Sequence, residues 1–240
     1  GANEIGIQTI GSGWLVGASG VWPGNTVTGN RVGIQVRDGD VVGNTVSGSS
    51  QWGIIVEADA DAVGNIVHGN ASGGIRANTS FRGLIGNNLV YGNGGSGIRV
   101  DAARDQSGDR TTIVNNTVDH ASGDAILITS ASQYVSLRNN IVAYRASARG
   151  LNVSADSTIG FGSNYNLFFA VDAGAGTLGR WQNVDYTDLS AWRSAVRQDF
   201  ESFAADPMFT DPAAGNYTLQ PGSIGIDFGQ AVSGTVPVAL

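Results

Sequence analysis

Gly43-Asn44-Thr45-Val46-Ser47-Gly48-Ser49-Ser50-Gln51-Trp52-Gly53-Ile54-Ile55-Val56-Glu57 is followed one period later by Gly64-Asn65-Ile66-Val67-His68-Gly69-Asn70-Ala71-Ser72-Gly73-Gly74-Ile75-Arg76-Ala77-Asn78. Laid one over the other, the two stretches keep an Asn-x-apolar segment and a Gly-Ile-x-Val segment, or its close variant, in the same places. The asparagine recurs at Asn25, Asn44, Asn65, Asn88, Asn116, Asn140 and Asn166, with spacings of 19, 21, 23, 28, 24 and 26 residues. The second segment returns as Gly33-Ile34-Gln35-Val36, Gly97-Ile98-Arg99-Val100, Ala125-Ile126-Leu127-Ile128 and Gly150-Leu151-Asn152-Val153, and Gly6-Ile7-Gln8 opens the series. A third short run precedes each asparagine, as in Asp40-Val41-Val42-Gly43 and Thr111-Thr112-Ile113-Val114. Inside each segment the apolar period is two, and Gly, Asn, Ser and Asp separate the segments, which predicts three short strands and their turns in every repeat. So short a period cannot enclose a core alone. The repeats must stack strand on like strand, as a parallel β-solenoid with coils about 4.8 Å apart and Val, Ile and Leu lining one continuous interior.

The recurring asparagine fits that stack as structure, since one side-chain amide can hydrogen-bond the same amide a coil away. Composition closes other routes. Glycine makes up 36 of 240 residues without a collagen period, there is no cysteine, and all 13 basic residues are arginine. Disulfide frames, thiolate zinc sites, cysteine nucleophiles and lysine chemistry are therefore excluded. A net charge of -7 disfavours nucleic acid or an anionic bilayer as the main partner, and no apolar run reaches the length of a membrane span. Beginning at Gly1, the sequence reads as a mature or excised segment.

Residues 1–169 read as solenoid coils and 170–240 as a C-terminal helix with an extended capping segment packed on the solenoid. The helix is expected between Thr187 and Phe203, where Leu189, Trp192, Val196 and Phe200 recur every three or four residues and Thr187 or Asp188 can cap the start.

The stacked segments resemble the right-handed parallel β-helix repeat proteins of the broad pectate-lyase-like superfamily, of the secreted bacterial type. The tail carries the same likeness in Ser163-Asn164-Tyr165-Asn166-Leu167-Phe168, Trp192, Ala205-Asp206-Pro207-Met208-Phe209 and Leu219-Gln220-Pro221-Gly222-Ser223 through Ile226-Asp227-Phe228-Gly229, with Ile224-Gly225 where a Pro-Ala pair is usual. The resemblance implies an all-β right-handed parallel β-helix, a secreted or cell-surface location and an extended polysaccharide as partner. It leaves open lyase, hydrolase and non-catalytic roles. Two mechanisms of that superfamily find no residues here: one needs a lysine base and the other an Asp-Asp pair, and the chain has neither.

In each Gly-Ile-x-Val strand, x and the residue after Val point outward. These positions hold Gln35 and Arg37, Ile55 and Glu57, Arg76 and Asn78, then Arg99 and Asp101. Arginine forks match carboxylates or sulfates repeated along a glycan at the coil spacing. Glu57, Asp101, Arg76 and Arg99 are thus the candidate catalytic set, and Gln35, Arg37, Asn78 and an exposed Trp52 the candidate substrate-binding set. Set against this is a sheet of interdigitated salt bridges that merely keeps the solenoid soluble. As a hydrolytic pair, Glu57 and Asp101 stand two coils apart, about 9.6 Å at the backbone, at the upper edge for an inverting mechanism. After the asparagine strands the outward positions run Thr28, Ser47, His68, Tyr91, Asp119 and Ala143, so that His68 and Tyr91 form a second candidate acid–base pair, whereas His120 reads as a turn residue. Asp38-x-Asp40 and Asp59-x-Asp61 in adjacent coils, with Asp101, Asp105 and Asp109 further on, supply oxygen ligands of the kind calcium takes. Solvated loop aspartates are the alternative. A structural or adhesive solenoid, or a fragment of a larger extracellular protein with other domains as partners, competes with the glycan reading.

Overall fold

The computed structural model describes residues 3–18, 23–104, 111–172 and 176–231. They form a right-handed parallel β-solenoid with three faces. The first face stacks Ile5–Ile10, Val32–Arg37, Trp52–Glu57, Gly73–Asn78 and Ser96–Asp101, then the ends of Thr117–Thr129 and Ile141–Val153, and last Thr177–Trp181. A second face of seven strands runs from Leu15–Gly17 to Gly162–Asn164. The third begins at Thr26–Thr28, Thr45–Ser47, Ile66–His68 and Leu89–Tyr91 and ends at Leu167–Ala170 and Phe203–Ala204.

Register follows the repeat. Ile7, Ile34, Ile54, Ile75, Ile98, Ile126 and Leu151 form one column of the first face, and from Ile34 onward each is fully buried. Val27, Val46, Val67, Val90, Val118 and Val142 make the matching column on the third face. Burying such columns is the main drive for stacking.

Between the second and third faces, the seven asparagines form an unbroken ladder. Each Nδ2 donates to the Oδ1 of the next at 2.9–3.0 Å, as from Asn25 to Asn44 and from Asn140 to Asn166, and each backbone N–H donates to that same oxygen. Its last rung is closed by Asp199, whose buried carboxylate accepts from Asn166 Nδ2 (3.1 Å), Ser163 Oγ (2.9 Å), Ser202 Oγ (2.5 Å) and Trp192 Nε1 (2.8 Å). A second, shorter ladder at the corner between the third and first faces joins Ser49, Asn70 and Asn93. Beyond Asn93 the turn disappears. Thr117–Thr129 and Ile141–Val153 round this corner as single 13-residue strands, with a bulge between His120 and Ser122. His120 therefore lies buried inside a strand rather than in a turn, its Nε2 3.1 Å from Gly95 O, and pairs with the buried Tyr144 of the next coil.

The solenoid continues past residue 169, because Thr177–Trp181 adds to the first face and Phe203–Ala204 to the third. One helix, Leu189–Val196, covers the C-terminal end. The Asp188 carboxylate caps it by accepting from Ala191 N at 2.9 Å, and Arg197 ends it in the left-handed conformation. It is thus shorter than the apolar spacing predicts, and Phe200 lies outside it, 59% exposed. Trp192 packs over Gly179, where a Cβ would overlap the indole, and meets Trp181 and Tyr186 edge-on. The segment from Asp206 to Gln230 packs on the solenoid. It straps the third face through a hairpin, Phe209–Asp211 with Asn216–Leu219, and through contacts of Phe228 with Tyr165 and Gln230 with Asn139. Among the described residues, no helix is long and apolar enough to cross a membrane.

Candidate functional site

Strand pairing on the first face sets Arg76 directly beside Arg99 on the next coil, and Arg37 beside Glu57 beside Asn78. The columns expected from the sequence are therefore present. What the side chains do in them differs from column to column. Arg76 Nε donates to Asp101 Oδ2 at 2.8 Å, and Arg99 Nε donates to Oδ1 at 2.9 Å and Oδ2 at 3.0 Å. Ser130 Oγ, from the following coil, donates to Oδ1 at 3.1 Å. Asp101 is 5% exposed and spends its lone pairs on these donors. Two guanidiniums share a single carboxylate, so the cluster keeps a local positive charge on an acidic chain. Each arginine remains about one-third exposed, and Asp101 binds it through Nε alone, leaving the terminal nitrogens for a ligand.

Trp52 corrects the expectation of an exposed sugar platform. It is 9% exposed, because its ring lies over Gly73, where any side chain would collide with it, and the Arg76 guanidinium covers it at 5.9 Å from the ring centroid. With Val32 and Ile55 it forms a small apolar cluster outside the main core. Its effect on the site is indirect: it braces Arg76 from below. Glu57 sits one column over, half-buried, and accepts from Thr79 Oγ1 at 3.3 Å. Asn78 Oδ1 accepts from the same hydroxyl at 3.0 Å, Arg37 Nε lies 3.6 Å from Asp38, and Gln35 is held between Gln8 and Ile55. Asp101 and Glu57, the pair expected from sequence as acid and base, have separate partners. The Asp101 carboxylate accepts from two guanidiniums and a hydroxyl, whereas Glu57, two coils away, accepts from Thr79 Oγ1.

The model of the right-handed β-helix family matches residues 10–165, which hold Arg76, Arg99, Asp101 and Ser130. The chain belongs to the right-handed β-helix family. Searches among curated proteins and among solved structures returned no match.

On the third face of this β-helix the column Thr28, Ser47, His68, Tyr91, Asp119 and Ala143 is also in register. His68 and Tyr91 stack with ring centroids 4.9 Å apart and planes within 7°. Asp119, 6% exposed, is not available to them: it pairs with Arg145 and accepts from Tyr217 Oη at 2.7 Å. Burial and the adjacent Asp119 push the Tyr217 phenol far above its ordinary range, so it stays a hydrogen-bond donor.

Three of the four aspartates expected from sequence as calcium ligands, Asp38, Asp59 and Asp61, make contacts within the protein. Asp59 pairs with Arg82, and Asp61 accepts from Leu84 N at 2.7 Å. Burial raises the Asp61 carboxyl, Leu84 N–H opposes that, and Asp40 and Asp59 add to it. Asp40 and Asp61 are neighbours in register, and Asp38 Oδ1 accepts from Asp59 N at 3.4 Å. Among the described residues no group of three or more His, Asp and Glu side chains gathers at metal-binding distances. Asp105 and Asp109 lie outside the described residues.

Sequence reading missed Ser130, Arg145 and Tyr217. The first two occupy turn or strand positions one coil beyond the aspartates they serve, a signal that coil-by-coil alignment holds. Tyr217 lies 98 residues from Asp119 and gives no such signal.

Proposed function

We propose that this β-helix is a secreted or cell-surface module that binds an extended acidic polysaccharide along its first face, without cleaving it through Glu57 and Asp101. The fold itself suits either a carbohydrate-active protein or a structural solenoid. The observation that carries the reading is the Arg76–Asp101–Arg99 cluster: two in-register guanidiniums, each fixed at Nε by one buried carboxylate, with a local excess of positive charge on a chain of net charge -7. Coils about 4.8 Å apart match the repeat of a sugar chain, so successive carboxylates or sulfates meet successive forks. Asp101 supplies the positioning, because a guanidinium held in place loses less rotamer entropy when a ligand arrives.

A glycan panel tests this. Acidic and neutral polysaccharides are scored by thermal shift, and products by unsaturated-uronide absorbance and reducing ends, each with and without calcium. The expected result is a shift with uronic-acid or sulfated chains and no product. Product formation lost in Glu57→Ala would establish an enzyme, and silence across the panel would leave the solenoid as a structural or adhesive element.

A further inference from the structure

The third face is only half covered. The strap lies over its later coils, where Tyr217 meets Tyr91 at 5.1 Å between centroids and bonds Asp119. The earlier coils carry outward Thr26, Thr28, Thr45 and Ser47, then Ile66, which is 37% exposed, and His68. The orientation of the His68 ring follows from its stack. Two parallel rings whose centroids are 4.9 Å apart cannot lie side by side in one plane without overlap, so they stand edge-on to the sheet and face each other along the solenoid axis. One face of the imidazole is thus taken by Tyr91. The other looks toward the preceding coil, whose residue in that column is Ser47. Since Ser47 is short, a step is left in the column. Its floor carries the hydroxyls of Ser47 and its neighbours Thr28 and Thr45, its end wall is the imidazole, and Ile66 flanks it.

We infer that this step is a second binding site, which seats one neutral pyranose ring on the free face of His68. An amphipathic ring with apolar C–H faces and equatorial hydroxyls fits an aromatic wall, a branched aliphatic neighbour and a hydroxyl floor. A neutral sugar is specified because Arg145, the cation that the column approaches, is spent on Asp119. A nucleobase would also stack, but a polynucleotide faces a chain of net charge -7. Tyr91, held from behind by Tyr217 and the strap, keeps the imidazole upright. The site stands apart from the Arg76–Arg99 cluster, although the expectation of a sugar rests on the carbohydrate reading above.

With only two histidines in the chain, and His120 buried, the imidazole signals in a proton NMR spectrum report the site directly. Cellohexaose and mannohexaose serve as neutral probes, titrated into the wild type, Ser47→Tyr and Arg99→Ala. The expected result is a saturable shift of the His68 ring protons in the millimolar range with at least one probe, with His120 unmoved. Ser47→Tyr, which fills the step from an outward position, weakens the response by about tenfold or more, and Arg99→Ala leaves it intact. No shift with either probe, or a shift that survives Ser47→Tyr, overturns the inference. Acidic-glycan binding, measured on the same samples and sensitive to Arg99→Ala, reports separately on the first face.

Discussion

The fifth coil holds two buried aspartates at outward positions, Asp101 on the first face and Asp119 on the third, and each binds arginine from the coil or its neighbour. Exposures match closely, at 5% and 6% for the aspartates and about one-third for the arginines. Their partners set them apart. Asp101 serves two arginines and a turn hydroxyl, and the cluster keeps a positive charge facing solvent. Asp119 serves one arginine and one phenol, so it is neutralised and covered by the strap that brings the phenol. The same carboxylate at the same depth holds solvent-facing cations in one place and works as a latch in the other.

Removing the two carboxylates breaks this comparison most sharply. Asp119→Ala leaves Arg145 and Tyr217 without their partner and frees the strap, at an expected cost of about 3 kcal/mol in chemical denaturation. Asp101→Ala is expected to cost about 1–2 kcal/mol, because water reaches both of its arginines. Limited proteolysis separates the two further, with new cleavage between Asp206 and Gln230 in Asp119→Ala alone. Equal costs and equal proteolysis would mean that the strap gains nothing from the latch. Tyr217→Phe isolates one hydrogen bond and should cost about 1–2 kcal/mol, with acidic-glycan binding unchanged. On the other face, Arg99→Lys keeps the charge but loses the fork and should weaken acidic-glycan binding by about tenfold at unchanged stability.

The two corners of the coil make a parallel comparison, which pH sharpens. The corner between the second and third faces keeps its amide ladder until Asp199 closes the last rung. At the other corner, His120 and Tyr144 take over where the shorter ladder stops at Asn93. Burial pushes the Tyr144 phenol up to about 12, so its contribution to stability is complete below about pH 10 and is lost as pH rises from there through about 12. Burial lowers His120, opposed by the carbonyls of Gly95 and Ser122 and by Asp124 and Asp119. Its contribution is complete above about pH 6.5 and falls away as pH drops below that value. Denaturation midpoints across pH should show both limbs, the acid one reduced in His120→Gln and the alkaline one in Tyr144→Phe.

Periodicity carried the columns into the sequence, since a period-two strand repeated every coil leaves little freedom in which residues face out. Arg76 beside Arg99 and His68 beside Tyr91 were legible for that reason. Their partners were legible only in part, because an outward position does not state where a long side chain goes. Trp52 stands at one, yet its ring folds over Gly73 and under Arg76, and the neighbouring Gly73-Gly74 pair was the only local sign of it. Apolar spacing carried the helix past its end, since nothing in Leu189, Trp192, Val196 and Phe200 reveals that Arg197 turns left-handed. Tyr217 reaches Asp119 across 98 residues, a contact made by the path of the strap and not by any repeat.

The central claim is that Arg76 and Arg99 together read the acidic groups of a glycan. Isothermal titration of an oligogalacturonate and of its neutral counterpart into the wild type and the Arg76→Ala/Arg99→Ala variant, at low and moderate salt, tests it most directly. The account predicts that the wild type prefers the acidic chain, that added salt weakens the binding, and that the double variant, still folded by circular dichroism but melting lower because Asp101 loses both guanidiniums, loses about 100-fold in affinity. Equal affinity for acidic and neutral chains, or a double variant that binds as tightly as the wild type, would contradict it.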